Sequence, residues 1–228
     1  VAKKSATFLQ RNLVLEDASK VPFKLNTEEE LQHYLTQKTV RGFPAAKNDG
    51  LKYLFWLPSE TGKQLKMGVI DIDNPAQLSQ SVLKTKVKAI AKKIEREGRP
   101  YIIMFSGSGY QIWFGQAVGG LPLGDFQSVR TYVESITYDV GSKNRAIAIA
   151  DREIHIDDSV FKAAQPIRMF FSLHYPTGQD KFDRGKTYSG LAAIPVTLTD
   201  IDSFDPMTDA HPETVLVNFD TYAAYIAK

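Results

Sequence analysis

The chain carries two carboxylates two residues apart in a strand-like run, Gly68-Val69-Ile70-Asp71-Ile72-Asp73-Asn74. Side chains alternate along a strand, so Asp71 and Asp73 leave one face while Ile70 and Ile72 enter the other layer. Two carboxylates that close repel each other and are costly to bury unless a cation lies between them. Magnesium or manganese suits that role, since both are hard cations that prefer oxygen ligands. The run ends in Asp-Asn-Pro, which is also a turn signal. On these residues alone, a strand that merely ends in a turn stays open.

Three further segments hold polar groups that could serve the same chemistry. Ser106-Gly107-Ser108-Gly109-Tyr110-Gln111 joins two apolar runs. Its glycines let backbone amides approach a ligand closely, and successive amides in a turn form an anion-binding concavity. Ser106 and Gln111 could add side-chain hydrogen bonds to phosphate, although such a loop is also an ordinary hairpin turn. Glu153-Ile154-His155-Ile156-Asp157-Asp158 puts Asp157 at a strand end, as a third carboxylate or as the cap of a following turn. Asp158 leaves the opposite face. Arg168-Met169-Phe170-Phe171-Ser172-Leu173-His174 sets a guanidinium, a hydroxyl and an imidazole close together. Arginine forks suit phosphate oxygens and an imidazole can donate to them. A histidine among apolar residues is equally an ordinary core or surface side chain.

The elements that must position these groups follow from composition and periodicity. At 228 residues and 43% hydrophobic, the chain can bury one large core, read here as residues 51–228 with a small annex over residues 1–50. No apolar run is long enough to span a bilayer and no secretory signal opens the chain, which starts on Val and reads as a segment of something longer. With no cysteine, disulfides, iron–sulfur clusters and cysteine zinc knuckles are excluded. Four scattered histidines without HxxxH spacing argue against a structural zinc as well. An intracellular, cytoplasmic setting is the default for such a chain. A net charge of +2 makes no bulk case for nucleic acid. The crowd of Lys84, Lys86, Lys88, Lys92, Lys93, Arg96 and Arg99 reads as a solvated helix face.

Thr27-Glu28-Glu29-Glu30 opens like a capped helix. A strand over 53–57 and a turn at 60–63 lead into the Asp71 strand, predicting a hairpin. After Pro75, Leu78, Val82, Val87, Ile90 and Ile94 predict an amphipathic helix. Strands follow at 101–105 and 110–114, a helix at 125–140, strands at 153–157 and 188–196, and a short helix at 218–227. Strands and helices in this order predict a mixed sheet with helices packed on it.

The order of the polar segments resembles that of the archaeo-eukaryotic primase superfamily: a strand with DxD, a strand-turn-strand with SGxGxQ, a strand ending in Asp, then RxxxSLHxxTG. The likeness runs from about residue 53 to 209. It includes Asp157-Asp158-Ser159-Val160, the strand at 190–196, and Phe204-Asp205-Pro206 through Asp209-Ala210. The resemblance implies an α+β fold, with a mixed, largely antiparallel, RRM-like sheet, flanking helices and the N-terminal annex. It implies metal-dependent, template-directed nucleotidyl transfer by a DNA primase or primase-polymerase. Asp71, Asp73 and Asp157 would be the catalytic and metal-holding residues, with two magnesium or manganese ions. Ser106, Gly107, Gly109, Gln111, Arg168, Ser172 and His174 would bind the nucleotide. Implied partners are single-stranded DNA template, NTP or dNTP, and a helicase or accessory priming domain outside this segment, with no membrane.

Three departures from the family pattern bear on that reading. Gln111 stands where a histidine is usual, as it does in the plasmid-type branch, and an amide carries neither charge nor proton. Tyr175-Pro176 follows His174 where a lysine is frequent, and the zinc knuckle is absent. Together they favour a plasmid, viral or other mobile-element enzyme, or a stand-alone primase-polymerase, over a chromosomal primase subunit. The alternatives are a gap-filling polymerase domain like that of end-joining ligases, and a catalytically degenerate nucleotide- or DNA-binding domain of a replication initiator. A metal-dependent nuclease would want a lysine two residues beyond its acidic pair, which no strand supplies convincingly.

Overall fold

Alternating isoleucine and aspartate demand a strand with one apolar and one polar face, and Gly68–Asp73 forms it as β4. The computed structural model describes residues 13–16, 22–23, 52–55, 65, 68–115, 118–121, 123–161, 166–168, 170, 174 and 189–226. Ahead of β4 lie β1 (Leu13–Glu16), β2 (Pro22–Phe23) and β3 (Lys52–Phe55). After it come α1 (Gln80–Arg96), β5 (Tyr101–Phe105), β6 (Tyr110–Phe114), α2 (Phe126–Thr137), α3 (Arg145–Ala150) and β7 (His155–Asp157). A 3-10 turn (Asp158–Val160), β8 (Pro166–Arg168), β9 (Ile194–Val196), α4 (Pro206–Asp209), α5 (Pro212–Val217) and α6 (Phe219–Ile226) complete the described elements.

The strands form a five-stranded sheet in the order β7-β4-β6-β5-β9 and a four-stranded sheet in the order β2-β1-β3-β8. All named pairings are antiparallel. The α+β class expected from the sequence is the one observed. The hairpin expected between β3 and β4 does not form. β3 pairs with β1 and β8, while β4 pairs with β6 and β7. The reason lies in alternation: Ile70 and Ile72 are matched by Ile112, Tyr110 and Ile156 across the two true neighbours, and Lys52-Tyr53-Leu54-Phe55 offers no such pattern. The four-stranded sheet takes its strands from both sides of residue 50. The helix expected from Thr27 lies outside the described residues.

One face of the five-stranded sheet is apolar. Ile70, Ile72, Ile103, Phe105, Tyr110, Ile112, Ile156, Ile194 and Val196 share it and join Leu83, Val87, Ile90 and Ile94 of α1 and Val129, Val133 and Ile136 of α2 in one buried cluster. Edge-to-face ring pairs reinforce it, Phe105 with Phe204 at 5.3 Å and Phe114 with Tyr132 at 5.4 Å. Within α1 the sequence reading needs one correction. Val82 is 44% exposed and Leu83 is fully buried, because Leu83 lies four residues before Val87 and seven before Ile90 on the same stripe. The helix begins at Gln80, capped by Ser79, whose hydroxyl accepts the Val82 N–H. Among the described residues, no helix is long and apolar enough to cross a membrane.

The basic run along α1 is more than a solvated face. Lys84, only 8% exposed, donates to the carbonyls of Asp202 and Phe204. Lys86 reaches the Val140 carbonyl at 2.9 Å and Lys93 the Ile136 carbonyl at 3.0 Å. Lys88 pairs with Asp202 and Lys93 with Asp139. The aliphatic stems cover the helix flank while the ammonium groups tether the segments that follow α2 and β9.

Two outcomes follow from this packing. Lys84→Ala strands two carbonyls and should cost about 2–3 kcal/mol of stability, the scale of lost hydrogen bonds to a charged donor, read as a lower denaturant midpoint. An unchanged midpoint would show that the 202–204 segment does not depend on the tether.

The second outcome concerns acid. The Ser128 amide and hydroxyl hold the Asp125 carboxyl below its ordinary range, Lys143 and then Arg130 do so for Glu134, and Lys93 does so for Asp139. A carboxyl whose folded pKa is depressed stabilises the fold above its unfolded pKa, and that support is lost as pH falls through the folded value. Thermal stability should therefore fall on acidification below about pH 4. Asp125→Asn, which still caps, should make the acid limb shallower, and an identical limb in that variant would remove Asp125 from the account.

Candidate functional site

The polar face of β4 meets a polar residue on each side. Asp71 is the register partner of Asp157 on β7 and of Gln111 on β6, and Asp73 is the partner of His155. Directly opposed side chains of antiparallel strands have Cβ atoms about 4.5–5.5 Å apart. Asp157, Asp71 and Gln111 thus form a row across the sheet, with His155 and Asp73 one step along it. The structure brings the three expected aspartates to one face. Asp158 turns away and pairs with Arg130 of α2.

Each carboxylate has its own protein donor. Gln111 Nε2 donates to Asp71 Oδ1 at 3.3 Å, and Gln111 Oε1 accepts from Trp113 Nε1 at 3.1 Å. An indole N–H can only donate, so the oxygen of the amide must face Trp113 and its NH2 must face Asp71. Trp113 is fully buried and its ring meets Phe170 at 4.8 Å. Gln111 itself is 4% exposed, so this orientation is enclosed.

Asp73 Oδ2 lies 3.4 Å from Arg145 Nη1 and 3.4 Å from His155 Nδ1. His155 Nε2 lies 3.1 Å from the Lys143 carbonyl, which can only accept, so Nε2 carries a proton. Asp157 accepts the Ser159 N–H at 2.8 Å and the Ser159 hydroxyl at 2.9 Å, capping the 3-10 turn. The two readings of Asp157, strand-end carboxylate and cap, describe one side chain.

Among the described residues, no group of three or more histidines and carboxylates is gathered closely enough to cage a metal ion. What they offer is a pair of hard oxygen donors, Asp71 and Asp157, side by side on adjacent strands. That set fits magnesium or manganese, which commonly takes one or two carboxylates and completes its shell with phosphate and water.

The glycine loop packs against this face. Ser106 N–H bonds the Gly109 carbonyl at 2.9 Å, and the Ser106 hydroxyl accepts the Gly109 N–H at 3.3 Å. A Cβ on Gly109 would stand 2.2 Å from the Ile72 carbonyl oxygen, so the loop can lie on β4 only with glycine there. Gly107, at φ +96, would place a Cβ 2.3 Å from Cβ of His174. His174 is held beside the loop by its N–H on the Leu191 carbonyl at 2.8 Å and its carbonyl on the Gly190 N–H at 3.2 Å. Arg168 sits on β8 opposite Lys52. Ser172 lies outside the described residues.

Five contributing residues were not among those singled out from sequence: Trp113, Arg145, His155, Ser159 and Ser189. Alternation could have found two of them, since Trp113 shares a face with Gln111 and His155 with Asp157. Arg145 and Ser189 arrive from a helix and a loop whose placement only the tertiary fold decides.

No protein-family model and no curated protein matches the sequence. In three dimensions the chain is similar to the polymerase domain of Mycobacterium tuberculosis ligase D, solved in complex with DNA. The TM-score is 0.59 over 98% of this chain and 88% of that one, at 12% sequence identity. At that identity the likeness is one of fold.

The Trp113–Gln111–Asp71 relay makes a prediction. Gln111→Ala leaves a buried indole N–H without its acceptor and should cost about 1–3 kcal/mol in denaturant unfolding. Gln111→Glu keeps an acceptor for Trp113 but faces Asp71 with a second negative charge. Its loss of stability should be partly reversed by millimolar magnesium or manganese, more than in the parent chain. If Gln111→Ala unfolds like the parent, the relay does not hold in solution.

Proposed function

We propose that this chain carries out template-directed nucleotidyl transfer on DNA, as a primase or primase-polymerase domain of the archaeo-eukaryotic primase type. The observation that carries the reading is the row Asp157–Asp71–Gln111 across β7, β4 and β6, flanked by the glycine loop and His174. A fold similar to a polymerase domain solved with DNA supports it, as does the order of motifs along the chain.

In this reading the 3′-hydroxyl of a primer end, or of a first nucleotide, attacks the α-phosphorus of an incoming nucleotide and pyrophosphate leaves. Asp71 and Asp157, with Asp73, would hold divalent magnesium or manganese, which when bound lowers the pKa of the attacking hydroxyl and stabilises the leaving pyrophosphate. The chain's own groups hold and orient the substrate. The Gly107 and Ser108 amides, between the two that the loop's own hydrogen bonds occupy, and the imidazole of His174 would serve phosphate oxygens, with Arg168 and Ser172 assigned to the same task by the family pattern. Gln111 has a second amide hydrogen beyond the one given to Asp71, and that neutral donor serves a phosphate. Arg145 balances the charge of Asp73. Template is held chiefly through its phosphates, with base stacking as an addition.

The residues of this site lie within 51–228, taken as the catalytic core, with 1–50 as an annex. The departures at Gln111 and Tyr175 favour a plasmid, viral or mobile-element setting. A second reading, gap filling without chain initiation, is favoured by the ligase-domain likeness.

A single assay separates them: primer extension and de novo dinucleotide synthesis on single-stranded template, with labelled NTPs and dNTPs. Extension with initiation supports a primase, and extension alone supports gap filling. Asp71→Asn and Asp157→Asn should each lower incorporation by about a hundredfold or more, the scale of losing a charged group that acts on the transition state, with melting curves unchanged. Full activity in both variants would sink the nucleotidyl-transfer reading.

A further inference from the structure

Ser189 stands at the junction of the two phosphate-facing parts of the site, although no pattern in the sequence marks it. Its backbone N–H points at His174 Nδ1 from 3.2 Å, and its hydroxyl oxygen lies 3.1 Å from the same ring nitrogen. The hydroxyl donates to the Gly107 carbonyl and accepts the Leu191 N–H at 3.2 Å. The direction of a backbone N–H is set by its peptide plane, so Nδ1 must accept. The single hydroxyl proton has two acceptors in reach, the Gly107 carbonyl and Nδ1, and either choice leaves Nδ1 without a proton of its own. The neutral ring then carries its hydrogen on Nε2.

We propose that Ser189 is the positioning residue of the candidate nucleotide site, fixing His174 as the Nε2–H tautomer and joining its ring to the glycine loop through Gly107. The inference rests on the nucleotidyl-transfer reading for its recipient, the phosphate oxygens of an incoming nucleotide. The tautomer rests on geometry alone. The tie explains the glycine at 107 as well. A side chain there would strike His174, and the distance between ring and loop is what the Ser189 hydroxyl spans. Imidazole donor and loop amides then move as one unit, so the entropy of aligning two separate anion-binding parts is spent in folding and not on each nucleotide.

Long-range proton–nitrogen correlation spectra of the full chain, labelled at its four histidines, test the tautomer. His174→Gln identifies the resonances by their loss. Nε2 protonated and Nδ1 bare is the expected result, and a proton on Nδ1 overturns the assignment. Steady-state extension kinetics test the positioning. Ser189→Ala should raise KM for nucleotide about three- to tenfold, the worth of roughly one hydrogen bond, with a smaller change in kcat, and Ser189→Thr should restore it. A glutamine amide reaches the Nε2 position and an asparagine amide only that of Nδ1, so His174→Gln should bind nucleotide more tightly than His174→Asn. Unchanged KM in Ser189→Ala, or the reverse order of the two His174 variants, overturns the positioning role. A parent chain that incorporates no nucleotide overturns the nucleotidyl-transfer reading and the phosphate as recipient, while the ring spectrum still decides the tautomer.

Discussion

The register of β4 between β6 and β7 is the constraint on which the rest depends. A strand of period two presents all of its isoleucines to one layer and all of its aspartates to the other. A slip of one residue would drive Asp71 and Asp73 into the helix-covered core and expose Ile70 and Ile72. The fully buried isoleucines make that slip prohibitive. The same register that satisfies the core therefore sets Asp71 opposite both Asp157 and Gln111. Packing on one face aligns chemistry on the other.

Grouping carboxylates on a half-buried face costs free energy, and the protein offsets it locally. Each aspartate has a different donor: an amide held by a buried indole for Asp71, a guanidinium for Asp73, and a backbone amide with a hydroxyl for Asp157. These bonds lower the desolvation penalty of the individual charges. They also fix where each carboxylate points, so that a cation arriving with its own phosphate ligands meets oriented oxygens. One set of contacts thus serves both stability and positioning.

The surrounding elements are tied to that face by contacts distant in sequence. Trp113 meets Phe170, linking β6 to the segment beyond β8. Ser189 and His174 meet Gly107, linking the segment before β9 to the loop between β5 and β6. On the other layer, the lysines of α1 reach carbonyls at the end of α2, just after it, and after β9. The result is a sheet whose apolar face carries helices and whose polar face collects loops that bear donors.

The sequence by itself determined the pieces with strong period or distinctive chemistry. Ile-Asp-Ile-Asp alternation located the carboxylate strand, the 3.6-residue stripe located α1, and Gly107 and Gly109 marked a close turn. All three are local consequences of backbone geometry, and with the short run ending in Asp157 they place Asp71, Asp73, Asp157 and Gln111 on strands with a defined facing. Tertiary structure decided what local pattern cannot encode. It made β6 and β7 the neighbours of β4 in place of β3, because strand pairing depends on matched faces across long sequence separations. It chose Leu83 over Val82 as the buried residue of α1, since a helix stripe is set by what it packs against. It delivered Arg145 to Asp73 and Ser189 to His174, two polar contacts with no periodicity to betray them. Their effect comes only from proximity, which the folded chain creates.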